Sequence, residues 1–311
     1  MLHIYPKAAE GQPTPAQSVW VDLLDPTAEE SERVARECGV QVPSRESLQE
    51  IETSSRLRAD GNVLYMSMPL AMQAPLGFIL TPERLVTVRF SDVRAFATVL
   101  ARLAATPNLT SAAVFMALID ALVDFDADLL ERLSSDLAVV SGRAFGQSGV
   151  PLVHDKHHSR ALRDCVNAVG TVGERLSRIR ETLLGLQRII GFVAESARDG
   201  QALPSELRAH LKTARQDVES LVEFEGHLSG KTQFLLDAVL GFINTEQNDI
   251  FKVLTIVSVV GIPPTLIASM YGMNFHFMPE LAWRWGYPYG LGLIALSTLI
   301  PILWFKRRGW W

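Results

Sequence analysis

The sequence predicts an α+β membrane protein: an N-terminal cytoplasmic α/β domain, then a long stalk helix that continues into the first of two C-terminal transmembrane helices. Three observations predict it. Charged and apolar residues alternate up to about residue 245, whereas between Val253 and Phe305 only Glu280 and Arg284 are charged. That interval holds two mostly apolar segments, 253–270 and 287–305, each matching the roughly 17–25 residues of a bilayer-spanning helix. Short β-branched and aromatic runs crowd the first hundred residues, and helical periodicity takes over from Ser111.

The elements follow in order. SVWVDLL (18–24), NVLYMSMPL (62–70), LGFILT (76–81) and LVTVRF (85–90) read as strands, each bounded by Asp, Gly or Pro. Asp25-Pro26-Thr27 opens a helix, with Pro and Thr in its first turn and Glu29 and Glu30 favourable to its dipole. A second helix is expected over 44–54. From Ser111 a helix over 111–141 carries Val114, Leu118, Ala121, Phe125, Leu129 and Leu133 at spacings of three and four. GRAFGQSGVP (142–151) separates it from a helix over 155–198, and Asp199-Gly200 with Pro204 makes another break. The last helix starts near Ser205 and meets no strong stop before Pro263. Continuous to Met270 it has about 66 residues, on the order of 100 Å long. A helix of that length crosses both cytosol and bilayer, so it reads as a stalk. The expected domains are therefore 1–105 (cytoplasmic α/β), 106–246 (cytoplasmic helical region and stalk) and 247–311 (two transmembrane helices with an external loop).

Composition narrows the function. The formal net charge of −5 and the lack of a basic or aromatic-basic run argue against nucleic acid as a partner. Cys38 and Cys165 fall in helical patterns and read as buried, reduced thiols. MLHIYPKAAEGQ has no apolar core, so no cleaved signal peptide is expected. Lys252 precedes the first span, and Lys306, Arg307 and Arg308 follow the second, while the connecting loop offers only Arg284. The positive-inside bias puts both ends in the cytoplasm and the loop outside. Trp310 and Trp311 suit an interfacial position.

Within the first span, Thr255, Ser258, Ile262, Thr265, Ser269 and Gly272 recur at intervals of three and four, which places them on one helical face. One reading is a small-residue stripe that lets helices pack closely in lipid. The other is a pore-lining face, which needs several copies of the chain around an axis. Pro263 and Pro264 favour the second reading, because their missing amides free the carbonyls of Val259 and Val260. Lipid cannot satisfy those carbonyls, whereas a hydrated pore or neighbouring helices can. Asn274 follows the face at the outer mouth. Its neutral amide suits Mg²⁺, which dehydrates reluctantly and is held with waters in place. A ring of such amides would hydrogen-bond the water shell without gripping the ion too tightly to release it. Gly272 would allow a close backbone approach or a positive φ. A hairpin of two spans with this turn suggests a channel or transporter rather than an enzyme. An ordinary helix C-terminus also favours Gly and Asn, so the tripeptide alone is a weak signal.

The surroundings make it specific. Tyr271-Gly272-Met273-Asn274-Phe275, Met278-Pro279-Glu280-Leu281 and Trp285-Gly286-Tyr287-Pro288, set between two spans and ahead of a basic-aromatic end, closely resemble the CorA family of magnesium transport proteins. The match extends back through GFINTEQNDIFKVLTIVS (241–258) and recurs more faintly at VWVDLLDP (19–26), Leu48–Ile51 and LIDALVD (118–124). The resemblance implies a homopentamer in the bacterial inner membrane with a cytoplasmic α/β funnel. It implies a stalk helix running into the pore-lining span and a second span facing lipid. It also implies passive Mg²⁺ influx, with Co²⁺ and Ni²⁺ as secondary substrates, and no organic cofactor.

By the same resemblance, Gly272, Met273 and Asn274 form the selectivity filter. Asn248 and Thr265 are polar pore positions beside Ser258 and Ser269, and Leu254 and Ile262 form the hydrophobic constriction. Phe251 stands where some members have methionine. Glu280 would concentrate cations at the outer loop, and Lys252 with Lys306, Arg307 and Arg308 would form a basic ring at the cytoplasmic end. Members of the family gate by binding Mg²⁺ between subunits. Glu50 matches one such carboxylate, and Thr213 occupies the expected partner position, leaving Asp217 as a substitute and Asp136 as a weaker second site. Two alternatives are a Zn²⁺ transporter of the same architecture, with or without proton coupling, and a membrane-anchored scaffold that transports nothing. The scaffold would leave the polar stripe, paired prolines and outer asparagine unexplained.

Other motifs carry less. His154 and His158 are four apart, but Lys156 between them and an adjoining loop favour a solvated helix start over a metal site. Asp120, Asp124 and Asp128 form an acidic stripe at i, i+4 spacing, read as solvent-exposed in preference to a cation site. No P-loop, dinucleotide fingerprint, HExxH, paired CxxC or nucleophile elbow is present.

Overall fold

Alternation with a period of two puts Val21 and Leu23 on one side of a strand and Trp20 and Asp22 on the other, so this segment needs cover on both faces. A computed structural model, which describes residues 1–5, 14–50, 52, 56–71, 73–103, 109–145, 158–196, 205–274, 276 and 278–310, supplies that cover. Among these residues six strands form one sheet: β1 (Leu2–Tyr5), β2 (Trp20–Leu24), β3 (Leu57–Asp60), β4 (Val63–Leu70), β5 (Gln73–Leu80) and β6 (Leu85–Arg89). Their order is β1-β2-β6-β5-β4-β3, with β2 and β6 parallel and every other pair antiparallel. The four expected strands are present. The two additional ones, β1 and β3, are the edges, and short or charged edges discourage pairing with other chains.

On one face Val21, Leu23, Ile79, Val86 and Val88 pack with Val34 of α1 (Ala28–Cys38) and Leu48 of α2 (Arg45–Gln49). On the other face Trp20 meets Phe96 of α3 (Arg94–Leu103) at 5.9 Å, and Phe78 meets Phe115 of α4 (Ser111–Phe145) edge-on at 5.7 Å. The second face also holds a buried ion pair. Arg89 Nη2 and Nε donate to Asp22 at 2.8 and 3.1 Å, Thr87 donates to Asp22 Oδ1 at 2.8 Å, and Trp20 Nε1 donates to Thr87 at 3.1 Å. Every charge there has a partner, which a desolvated pair requires.

Three helix limits differ from expectation. Helix α1 starts at Ala28, because Thr27 is its N-cap in a capping box with Glu30 (3.2 and 3.0 Å), leaving Pro26 and Thr27 outside the first turn. Helix α2 stops at Gln49, well short of residue 54. Glu50 turns to extended backbone (ψ 139°) and its carbonyl accepts from Arg56 Nε at 2.6 Å. Residues 51 and 53–55 lie outside the described residues. Helix α4 continues through Gly142 to Phe145, and residues 146–157, with the expected linker and His154, lie outside the described residues. Helix α3 is not among the expected elements. It is amphipathic, with Ala95, Phe96 and Val99 buried.

Helix α5 covers His158–Ser196, and α6 is one helix of 67 residues, Ser205–Tyr271, continuous through Pro263 and Pro264. Helix α7 covers Gly286–Arg307. Among the described residues two helices are long and apolar enough to cross a membrane, within Arg208–Tyr271 and Gly286–Arg307. The chain divides into two compact units, Met1–Val150 with Asp164–Leu236 and Pro151–Arg163 with Asp237–Trp311. Both cysteines are free; Cys165 is buried, but Cys38 is only half-buried, at the end of an amphipathic helix.

Candidate functional site

The polar face of α6 is built by helical periodicity. At about 100° per residue, Asn248, Phe251, Leu254, Thr255, Ser258, Ile262, Thr265 and Ser269 fall within an arc of about 120°. Phe251, Leu254 and Ile262 are 64%, 59% and 63% exposed, and Thr265 and Ser269 are exposed beside them. Ser258, Ile262, Thr265 and Ser269 line a shallow open groove. Apart from Ser258, the half-buried residues of the span collect on the opposite side: Ile256, Val260, Pro263, Pro264, Ile267 and Tyr271. Tyr271 approaches Gly290 of α7, where an added Cβ would lie 3.9 Å from its ring.

Two hydroxyls on this face have fixed roles. Thr255 Oγ1 donates to Phe251 O at 2.7 Å, and Thr265 Oγ1 donates to Gly261 O at 2.8 Å. Their protons are committed to the backbone, so each oxygen offers only lone pairs outward. Such an acceptor suits the water shell of a cation, whose O–H bonds point away from the ion. Pro263 and Pro264 lack the amides that would otherwise bind the carbonyls of Val259 and Val260.

At the end of α6, Gly272 N–H donates to Ala268 O at 3.0 Å and Met273 N–H to Met270 O at 3.3 Å. Gly272 is not among the residues with positive φ, and the nearest atom to a Cβ placed there is Ala268 O of its own helix, at 3.3 Å. Met273 and Asn274 are exposed beyond it. Phe275 and Trp311 lie outside the described residues, and Glu280 falls in the 3-10 turn Pro279–Ala282. Toward the other end of the span, Asn248 is exposed and Lys252 pairs with Asp249 at 2.8 Å. Asp249 is a partner that sequence reasoning missed, although its i, i+3 spacing was a usable signal. Lys306, Arg307 and Arg308 are exposed at the end of α7.

The carboxylates expected to regulate lie in the first unit. Glu50, Asp136 and Asp217 are all exposed. Asp217 lines a cleft of about 290 Å³ with Asp120, Asp124, His210, Thr213 and Arg102. His210 Nε2 lies 2.8 Å from Asp120 Oδ2, and burial raises the Asp120 carboxyl above its ordinary pKa despite that partner. Asp124 and Asp128 are exposed, as the acidic stripe suggested, while Asp120 is half-buried. Among the described residues no three His, Cys, Asp or Glu side chains converge on a metal position within one chain. Asp126, missed in the sequence, is only 2% exposed, and its Oδ2 has no hydrogen-bond partner. Burial pushes its pKa up to about 8.

Comparisons with known proteins bear on this arrangement. A family model described as "CorA-like Mg2+ transporter protein" matches residues 15–307. A magnesium transport protein CorA from Sodalis glossinidius is 34% identical over 97% of this chain and 95% of its own length. The protein of the same name from Escherichia coli K12 is 32% identical over 97% and 94%. Among solved structures, the complete CorA magnesium transporter from Methanocaldococcus jannaschii superposes with a TM-score of 0.71 at 18% identity, covering 94% of this chain and 91% of that one. At that identity the likeness is one of fold: an α/β unit, a long helix and two C-terminal apolar helices.

Proposed function

The chain belongs to the CorA family of magnesium transporters, and from that premise we propose that it mediates Mg²⁺ influx through a homopentameric pore in the bacterial inner membrane. The observation that carries this reading is the division of α6 into two sides. Its hydroxyl-bearing face is left open by its own chain, while the opposite side is partly covered. A helix with one exposed acceptor face and one covered apolar face is suited to surround an axis in several copies. In lipid, those acceptors would lack partners; around water they have them.

In this reading, five copies of Asn274 meet the ion at the outer mouth, beside Gly272 and Met273. The amide carbonyls accept hydrogen bonds from Mg²⁺-bound water, so the ion enters without losing its shell. Glu280 adds negative charge to the outer loop. Ser269, Thr265 and Ser258 continue the acceptor surface inward. Ile262, Leu254 and Phe251 narrow the path with side chains that give no bond to water, and closure there dewets the path. Asn248 offers an amide at the inner end, beside a basic ring of Lys252, Lys306, Arg307 and Arg308. Both termini are cytoplasmic, from the basic bias at the span ends.

Flux runs down the electrochemical gradient, with Co²⁺ and Ni²⁺ as secondary substrates. Intracellular Mg²⁺ gates it by bridging carboxylates of neighbouring subunits. Glu50 and Asp217 are the proposed pair, and Asp136 is the proposed second position. Their exposure in a single chain supports an intersubunit role.

Ion uptake into proteoliposomes loaded with a divalent-sensitive dye, comparing Mg²⁺ with Zn²⁺, tests the proposal. Mg²⁺ uptake is expected, and Asn274→Ala should lower it at least about tenfold while assembly is unchanged. Unaltered Mg²⁺ uptake by that variant, or uptake of Zn²⁺ alone, overturns it.

A further inference from the structure

The end of α7, from Trp304 to Trp310, forms a small structure of its own. Gly309 adopts φ +70°, the left-handed conformation that glycine reaches without strain. This turn lets Gly309 N–H donate to Lys306 O (3.3 Å) and Trp310 N–H to Phe305 O (3.1 Å), which closes the last carbonyls of the helix in a Schellman arrangement. The chain doubles back, and Trp310 stacks on Phe305 at 5.4 Å, leaving Phe305 3% exposed. Arg308 lies with its guanidinium 5.2 Å from the centre of the Trp304 ring. Arg307 and Arg308 are three and four residues beyond Trp304, so they flank its ring on one face, whereas Lys306 points to the other side. Neither arginine has a carboxylate partner among the described residues.

Depth fixes what this structure meets. Tyr287 and Trp304 are separated by 17 residues, about 26 Å along a helix, close to the thickness of a bilayer's hydrocarbon core of roughly 30 Å. Trp283, Trp285, Tyr287 and Tyr289 are exposed at one end, and Trp304 and Trp310 at the other, as interfacial belts require. Arg307 and Arg308 therefore sit just beyond the inner belt, at headgroup level. The guanidinium fork matches phosphate oxygens in pairs. Capping of the last carbonyls removes much of the negative helix end that would oppose an anion.

We propose that Arg307 and Arg308, astride Trp304, form a binding site for the phosphate of an anionic phospholipid in the inner leaflet. The site rests on the reading of α7 as a membrane span, but not on ion flux. It gives two members of the proposed basic ring, Arg307 and Arg308, a second role in holding lipid, which Lys306 does not share.

The test uses the full chain in detergent, titrated with phosphatidylglycerol or phosphatidylcholine and followed by native mass spectrometry of lipid adducts. The wild type should prefer phosphatidylglycerol by about tenfold. Arg307→Gln with Arg308→Gln should abolish the preference, Lys306→Gln should keep it, and Arg308→Lys should lose part of it, because the charge stays and the fork goes. Absence of preference in the wild type, its survival in the double variant, or equal loss with Lys306→Gln overturns the site. Displacement of the lipid by millimolar inorganic phosphate overturns it too, because that outcome marks a general anion site. Mg²⁺ uptake measured on the same preparations keeps the two proposals apart. Lipid preference without flux sinks only the transport reading, and flux without lipid preference sinks only this one.

Discussion

In the first compact unit Trp20, Phe78, Phe96 and Phe115 are fully buried, and two charges, Asp22 and Arg89, are buried with them. In the second unit Phe251, Val257, Ile262, Leu266 and Leu303 are 60–64% exposed. One chain thus follows opposite rules in two places, and burial has to be judged against the local solvent. In water the first unit encloses these four aromatics and pairs Asp22 with Arg89. The second unit leaves apolar surface outward, where hydrocarbon can meet it, and on α6 Thr255, Ser258, Thr265 and Ser269 share one side.

The contrast is most vulnerable at Asp22. Asp22→Ala would leave Arg89 charged and enclosed, at a cost of about 3–5 kcal/mol to the first unit. Chemical denaturation monitored by tryptophan fluorescence measures it, and a loss under about 1 kcal/mol would show that water reaches the pair. Asp126 gives a pH-dependent effect. Its folded pKa of about 8 lies above its ordinary value of 3.8, so the folded protein retains a proton that the unfolded chain releases. Stability from this group is complete below about pH 4, falls as pH rises, and levels off above about pH 8. Asp126→Asn should flatten that slope. Each tenfold difference in proton affinity is worth about 1.4 kcal/mol, so the variant should gain a few kcal/mol at pH 8 and almost nothing at pH 4. Parallel denaturation curves for the two proteins at pH 8 would count against the buried acid.

Smaller effects separate the two units further. Thr27→Ala removes one arm of the capping box and should cost about 1 kcal/mol, read from the same denaturation curves. Thr265→Val should leave helicity and unfolding within about 0.5 kcal/mol, because its hydroxyl bonds only its own helix, yet lower Mg²⁺ uptake severalfold. A large stability loss there would mean that the hydroxyl serves packing.

Much of this was legible in the sequence because it is local. The long α6, its polar face and the Gly272-Met273-Asn274 turn all follow from period and composition within single segments. The start of α1 was visible to within a residue, but the sequence put Thr27 in the first turn, and its place as the cap needed the reciprocal bond to Glu30. What escaped depended on distance or brevity. Arg89 finds Asp22 across 67 positions, and β1 and β3 are four residues each, too short for alternation to declare itself. Asp126 was hidden among the acidic residues around it, although it shares the apolar side of α4 with Leu122, Leu130 and Leu133. The expected second helix runs too far because nothing local marks the turn at Glu50, whose carbonyl is held by Arg56.

In the proposed pore, the threonines that donate to Phe251 and Gly261 would also decide how protons fare. A relay by hopping needs groups that give a hydrogen on one side as they take one on the other. Hydroxyls already tied to a carbonyl can only take. Water beside them would keep its hydrogens toward the wall and its oxygen toward the centre of the passage. That standing polarity would welcome a positive ion and interrupt a proton wire, so in the proposed pore the same two bonds would favour the metal and block its commonest competitor.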